Sequence, residues 1–174
     1  MLNKFHGTAV LRAAVLFVSI AVLLSFIPCI RVISFSDIRQ KSEKVYSRSA
    51  LDGFIISYTH SVNKGRVHDY YECTSDRQLQ VIRTVFVSYG AGIPELGDYY
   101  EGAVFRLIPE GYELSGFDRK VPVLLMAVGQ IAEHSVTING NEFFLADYFR
   151  RKASIEIRFE RVSPISYILT RSFY

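Results

Sequence analysis

The residues whose types could do chemistry are two histidines, an aspartate and a glycine turn: His60, His134, Asp69 and Gly90-Ala91-Gly92. His60 lies in Phe54-Ile55-Ile56-Ser57-Tyr58-Thr59-His60-Ser61-Val62. Counting by twos predicts one strand face carrying Phe54, Ile56, Tyr58, His60 and Val62. His134 alternates in the same way with Ala132, Val136 and Ile138. Both rings are therefore expected to point inward, where an unsatisfied ring nitrogen costs about 1–3 kcal/mol. Two inward histidines near Asp69, Tyr58 or Tyr89 would offer donors to zinc, which takes three or four His and carboxylate ligands. No short ligand spacing such as HExxH occurs, so the competing reading is a pair of hydrogen-bonded core histidines with no metal and no cofactor.

Ser61 beside His60 invites comparison with a serine hydrolase. Neighbours in a strand face opposite sides, so Ser61 cannot use His60 as its base, and no G-x-S-x-G elbow is present. No residue is assigned a catalytic role. The turn Ser88-Tyr89-Gly90-Ala91-Gly92-Ile93-Pro94 offers two readings. It could bare backbone N–H groups to an anion, or it is a tight bend that needs glycine at Gly90 and Gly92. Arg83 interrupts the apolar series Leu79, Val81, Val85 and Val87, so it should pair with a carboxylate or reach out to solvent. Cys29 and Cys73 have neither thioredoxin-type nor zinc-type spacing.

These residues need strands to position them. The chain has 174 residues, 49% of them hydrophobic, enough for one core of ordinary size. Eleven Tyr and thirteen Phe, with no Trp, favour β structure together with the many Val and Ile. A net charge of +3, with basic residues dispersed among acidic ones, gives no footprint for nucleic acid. Strands are expected at 30–35, 54–62, 67–73, 79–89, 123–128, 131–138, 142–145, 155–160 and 167–171. The stretch 95–120 reads as irregular, with short strands at 104–108 and 112–114. Asn139-Gly140 is a hairpin signal, because both central positions of a type I′ turn need positive φ. The expected fold is all-β, a single antiparallel β-sandwich or partly open β-barrel over 31–174.

Residues 1–30 are a separate object. Ala13 to Ile30 is uncharged and apolar, of the length at which a transmembrane helix is expected, and it follows Lys4 and Arg12. A cleaved signal peptide is the alternative, but A-x-A spacing is missing. Pro28 is expected to end the helix. Lys and Arg counts on either side would put the domain in the cytoplasm, whereas long domains translocate largely regardless of charge.

Tyr58-Thr59-His60-Ser61-Val62, Val67 with Asp69, Phe86-Val87-Ser88-Tyr89-Gly90-Ala91-Gly92-Ile93-Pro94 and Val128-Gly129-x-Ile131-Ala132-x-His134 together resemble the domain of unknown function 1850 family. The resemblance covers roughly residues 30–157. It implies a short bacterial envelope protein with an N-terminal hydrophobic segment, accessory to a TAXI-type TRAP transporter. The implied partners are the membrane, the permease and the TAXI substrate-binding protein. The implied location is the bacterial cytoplasmic membrane, single-pass, with the C-terminal domain outside the cytoplasm. The alternative function is an envelope metal-binding protein or hydrolase-like enzyme using His60, His134 and Asp69. The chain departs from the family pattern at Asn63-Lys64-Gly65-Arg66, where an acidic residue and a Thr-Pro pair are usual, and at His68, one of two adjacent acidic positions. A function that needed two carboxylates there is in doubt.

Overall fold

A computed structural model of the protein describes residues 3–40, 43–88, 90, 102–129 and 131–173. Helix α1 (Asn3–Leu24) leads into β1 (Ile30–Asp37), β2 (Lys44–Ser47), β3 (Phe54–Thr59), β4 (Arg66–Cys73) and β5 (Leu79–Phe86). Then follow β6 (Val104–Ile108), β7 (Gly111–Val121), β8 (Leu124–Ala127), β9 (Ser135–Ile138), β10 (Asn141–Phe144), β11 (Ser154–Val162), α2 (Pro164–Leu169) and β12 (Arg171–Ser172).

The strands form two open sheets. Among the described residues one runs β12-β2-β1-β11-β8 and the other β10-β9-β3-β4-β5-β7-β6. The seven-stranded sheet is antiparallel throughout. The five-stranded one is mixed, because β12 runs parallel to β2. Neither sheet closes, so the partly open barrel gives way to two sheets over a common core. Ile33, Phe35 and Val45 from the smaller sheet meet Phe54, Ile56, Val136 and Ile138 from the larger. Phe35 stands edge-on to Phe54 at 5.9 Å and to Phe173 at 5.0 Å, so the chain's last described residue plugs the same core.

Several expected elements are found close to their predicted bounds. Asn139 and Gly140 take φ of 50° and 79° and join Ile138 directly to Asn141, as a two-residue hairpin requires. The segment expected to be irregular instead carries the longest strand, β7, which pairs with β5 along its length. The strand expected at 167–171 is mostly helix. Ser163 caps α2 by accepting the Ser166 N–H at 3.2 Å, and Pro164 sits in its first turn.

The N-terminal helix also differs from expectation. Among the described residues no helix is long and apolar enough to cross a membrane. The uncharged run 13–30 is split: its helical part ends at Leu24, and Ile30 already pairs with Val162 in the sheet. Twelve uncharged helical residues, 13–24, rise only about 18 Å, against roughly 30 Å of hydrocarbon.

Candidate functional site

Strand β3 carries Phe54, Ile56 and Tyr58 inward as the alternation predicts, but it ends at Thr59. His60 lies in the following turn, where its N–H donates to Gly65 O at 2.8 Å. The His60 Nδ1 faces the Val62 and Asn63 N–H groups at 3.3 and 3.4 Å, so this ring caps a turn instead of lining the core. Ser61 and Val62 are exposed in the same turn, and the Ser61 carbonyl accepts from Lys64 Nζ at 2.6 Å.

Turn 60–65 locks against the segment after β5. A Cβ on Gly65 would overlap the Ser88 hydroxyl, and one on Gly90 would sit 3.2 Å from Asn63 Cβ. That contact gives Gly90 a packing role. Tyr89 and Gly92 lie outside the described residues.

His134 sits just before β9 and is half-buried. Its Nδ1 accepts the Gly129 N–H at 3.0 Å, and its ring stacks on Tyr58 at 5.7 Å. A Cβ on Gly129 would lie 3.1 Å from His134 Cε1, so the spacing Gly129-x-Ile131-Ala132-x-His134 builds a loop closed by its own imidazole. Burial, aided by the Arg66 charge, holds His134 below the usual imidazole range.

Asp69 faces inward from β4 and accepts from Thr84 Oγ1 at 2.6 Å. Burial raises its carboxyl above the ordinary range, against the lowering effect of the Thr84 hydrogen bond. Burial and then the Asp69 charge push the Tyr58 phenol up to about 12. Of the predicted site residues, Tyr58 and His134 are thus stacked together, Asp69 is held by Thr84, and His60 is held separately by its own turn. No group of three His, Cys, Asp or Glu side chains among the described residues is placed to hold a metal. Cys29 and Cys73 are both free thiols.

The opposite face of β3, β4 and β5 carries a groove of about 590 Å³. Ser57 and His68 are cross-strand partners, and Ser57 Oγ lies 2.8 Å from His68 Nδ1. Two residues along β4, on the same face, Tyr70 pairs with Arg83, whose guanidinium lies 3.9 Å from the Tyr70 ring centroid. Ile55, Val85, Val87 and Ile108 supply the apolar lining. Ion pairs flank this centre. On one side Arg66 meets Glu142 at 3.0 Å, and Glu142 also accepts from the Ser135 hydroxyl. On the other, the Glu113 carboxylate takes Arg83 at 3.1 Å and Arg106 at 3.2 Å.

Burial, then the nearby Arg66 charge, holds His68 below the usual imidazole range, with Glu142 acting the other way. The shift favours the uncharged ring, whose Nδ1 shares a hydrogen bond with the Ser57 hydroxyl. Ser57 is only 2% exposed, so its hydroxyl serves to hold His68, and the accessible chemistry belongs to His68, Tyr70 and Arg83. The groove offers hydrogen-bonding groups and a stacked guanidinium on an apolar floor, fixed by ion pairs on either side.

Arg83 was legible as a charged residue needing a carboxylate, and Glu113 is that partner. The residues around it were missed because β5 changes register between Val81 and Arg83, leaving Ile82 without a partner in the β4 ladder. Leu79 faces the core, whereas Arg83, Val85 and Val87 line the groove, so the simple alternation fails at the bulge. The available signal was parity within β4, where His68 and Tyr70 alternate with the inward Val67, Asp69 and Tyr71.

No curated protein and no solved structure matches the chain. The family described as domain of unknown function (DUF1850) matches residues 54–145, from the first residue of β3 to the first residue after β10, and so takes in the groove, the interlocked turns and the His134 loop. That match spans more than half of the 174 residues, and the chain belongs to the domain of unknown function 1850 family.

Proposed function

We propose that the protein is a membrane-anchored, non-enzymatic accessory protein that works beside a TAXI-type TRAP solute transporter and engages the permease or its binding protein through the groove. The observation that carries the interaction reading is the Tyr70–Arg83 stack at the centre of that groove. Tyr and Arg are the residue types that dominate binding energy at protein interfaces, and here both are held in place before any partner arrives. The transporter assignment draws on the family resemblance. The two sheets and their shared core are read as one β-sandwich domain over 31–174, outside the cytoplasm at the bacterial cytoplasmic membrane.

Anchorage is assigned to α1. Leu11, Leu16, Phe17 and Leu23 are each more than 60% exposed, and exposed apolar side chains run from Val10 to Leu24, a pattern that favours a nonaqueous neighbour. The metal or hydrolase reading would need His60, His134 and Asp69 to converge. Each is engaged instead by a different partner: its own turn, the Gly129 N–H or the Thr84 hydroxyl.

The test is a pair of groove substitutions, Tyr70→Ala with Arg83→Glu, in the full chain expressed in its native membrane. Loss of a hot-spot pair should lower recovery of transporter components by about tenfold or more, with the protein still in the membrane fraction. Unchanged recovery of those components would sink the groove as the docking surface.

A further inference from the structure

We infer that α2 is a second membrane contact, carrying Ile168 and Leu169 into the lipid interface beside the end of α1. The inference rests on the anchored reading of α1 and adds the orientation of the sheets on the membrane. Tyr167 packs against the small cluster of Val32, Tyr46 and Val162 on the outer side of the five-stranded sheet, which fixes the rotation of this short helix. The next two residues then project outward, Ile168 at 78% and Leu169 at 79% exposure.

The position of α2 ties it to the anchor. Its Ile165 N–H donates to the carbonyl of Ser25, the residue that follows α1, at 3.2 Å. Phe26 and Ile27, directly after Ser25, are 59% and 51% exposed. Two chain segments far apart in sequence therefore present large apolar side chains at one end of the small sheet, continuous with the apolar surface of α1. Ile30 and Val162 are paired there, so α1 and α2 leave the same end of adjacent strands.

Charge at that end selects lipid as the occupant. The next pair along the ladder is Arg31 opposite Arg161, at the same end of the strands but on the face opposite to α2; both are exposed, and neither has a carboxylate partner among the described residues. Like charges directly opposite each other in a ladder repel. An anionic headgroup layer relieves that repulsion while the neighbouring apolar side chains enter the acyl region.

The chain has no tryptophan, so a single introduced one reports on its own surroundings. Full-length Leu169→Trp, Leu16→Trp in α1 and Leu107→Trp on the distant edge strand β6 would be reconstituted in phosphatidylethanolamine–phosphatidylglycerol vesicles containing brominated lipid. The expected result is a blue shift and loss of emission at 169 and 16, with 107 emitting as in water. Quenching at 16 but not at 169 would overturn the second contact and leave the α1 anchor standing. Quenching at neither would remove the anchor reading and this inference with it. Equal quenching at all three positions would overturn the specific placement of α2.

Discussion

His134 commits the lone pair of its Nδ1 to the Gly129 N–H. Its inward position was legible from alternation with Val136 and Ile138, but its partner was not, because Gly129 meets it across a loop. Replacing Gly129 with Ala places a methyl against the ring and should cost about 1–3 kcal/mol in urea unfolding. A change under about 0.5 kcal/mol would mean that the loop relaxes freely. His134 and His68 also set a pH dependence. Their folded-state values lie below the unfolded imidazole value, so the unfolded chain binds more protons as pH falls. Stability contributed by the neutral rings is full above about pH 6.5 and is lost as pH drops through and below it. Asp69, raised in the folded state, acts in the opposite direction at lower pH, above its unfolded value. His134→Asn, which keeps an acceptor for the Gly129 N–H, should shallow the fall in denaturation midpoint between about pH 7.5 and 6. An unaltered slope would assign the effect elsewhere. Asp37 is a further buried group with its partners in place. Its carboxylate takes Arg150 Nε at 2.9 Å and the Arg39 N–H at 2.7 Å, and the Arg150 hydrogen bond chiefly holds it below the ordinary range. Asp37→Ala should therefore destabilise by about 1–3 kcal/mol by orphaning those donors.

Among the elements, local chemistry was readable wherever it fixed the backbone by itself. Asn139-Gly140 specified its hairpin without tertiary help, and β4 kept its alternation through Val67, Asp69 and Tyr71. Two elements escaped for opposite reasons. In β5 a bulge moves Arg83 and Val85 to the groove face, and no residue type announces a one-residue insertion. In α2 the β propensity of Tyr167 and Ile168 suggested a strand, but the Ser163 cap and Pro164 start a helix. His60 was misplaced because β3 stops at Thr59, three residues short of its expected end at Val62, where the Thr59 N–H bonds Ala132 O at 2.7 Å and the chain turns. The interlock of turn 60–65 with Ser88 and Gly90 makes a direct prediction. Gly65→Ala must displace Ser88 and should lower stability by about 1–3 kcal/mol, and the further change Ser88→Gly should recover most of it. Additive losses in the double variant would show that the two turns do not share this contact.

For the whole molecule, the all-β character and a two-sheet sandwich, as one of two alternatives, could be read from the sequence, but the membership of the two sheets could not. It depends on β1 pairing with β11 across more than 100 residues, and no local pattern encodes that partnership. The apolar N-terminus was equally visible, yet its helix stops at Leu24 because the chain must turn and enter β1 at Ile30. The arrangement that results sets the end of the smaller sheet that carries α1 and α2 apart from the groove on the larger sheet. The most direct measurement is mass spectrometry of what copurifies with the C-terminally tagged, full-length protein from native membranes in mild detergent. A TRAP permease or TAXI binding protein in near-equal amount is the predicted result. Recovery of this chain alone, from membranes that contain both transporter components, would contradict the accessory role.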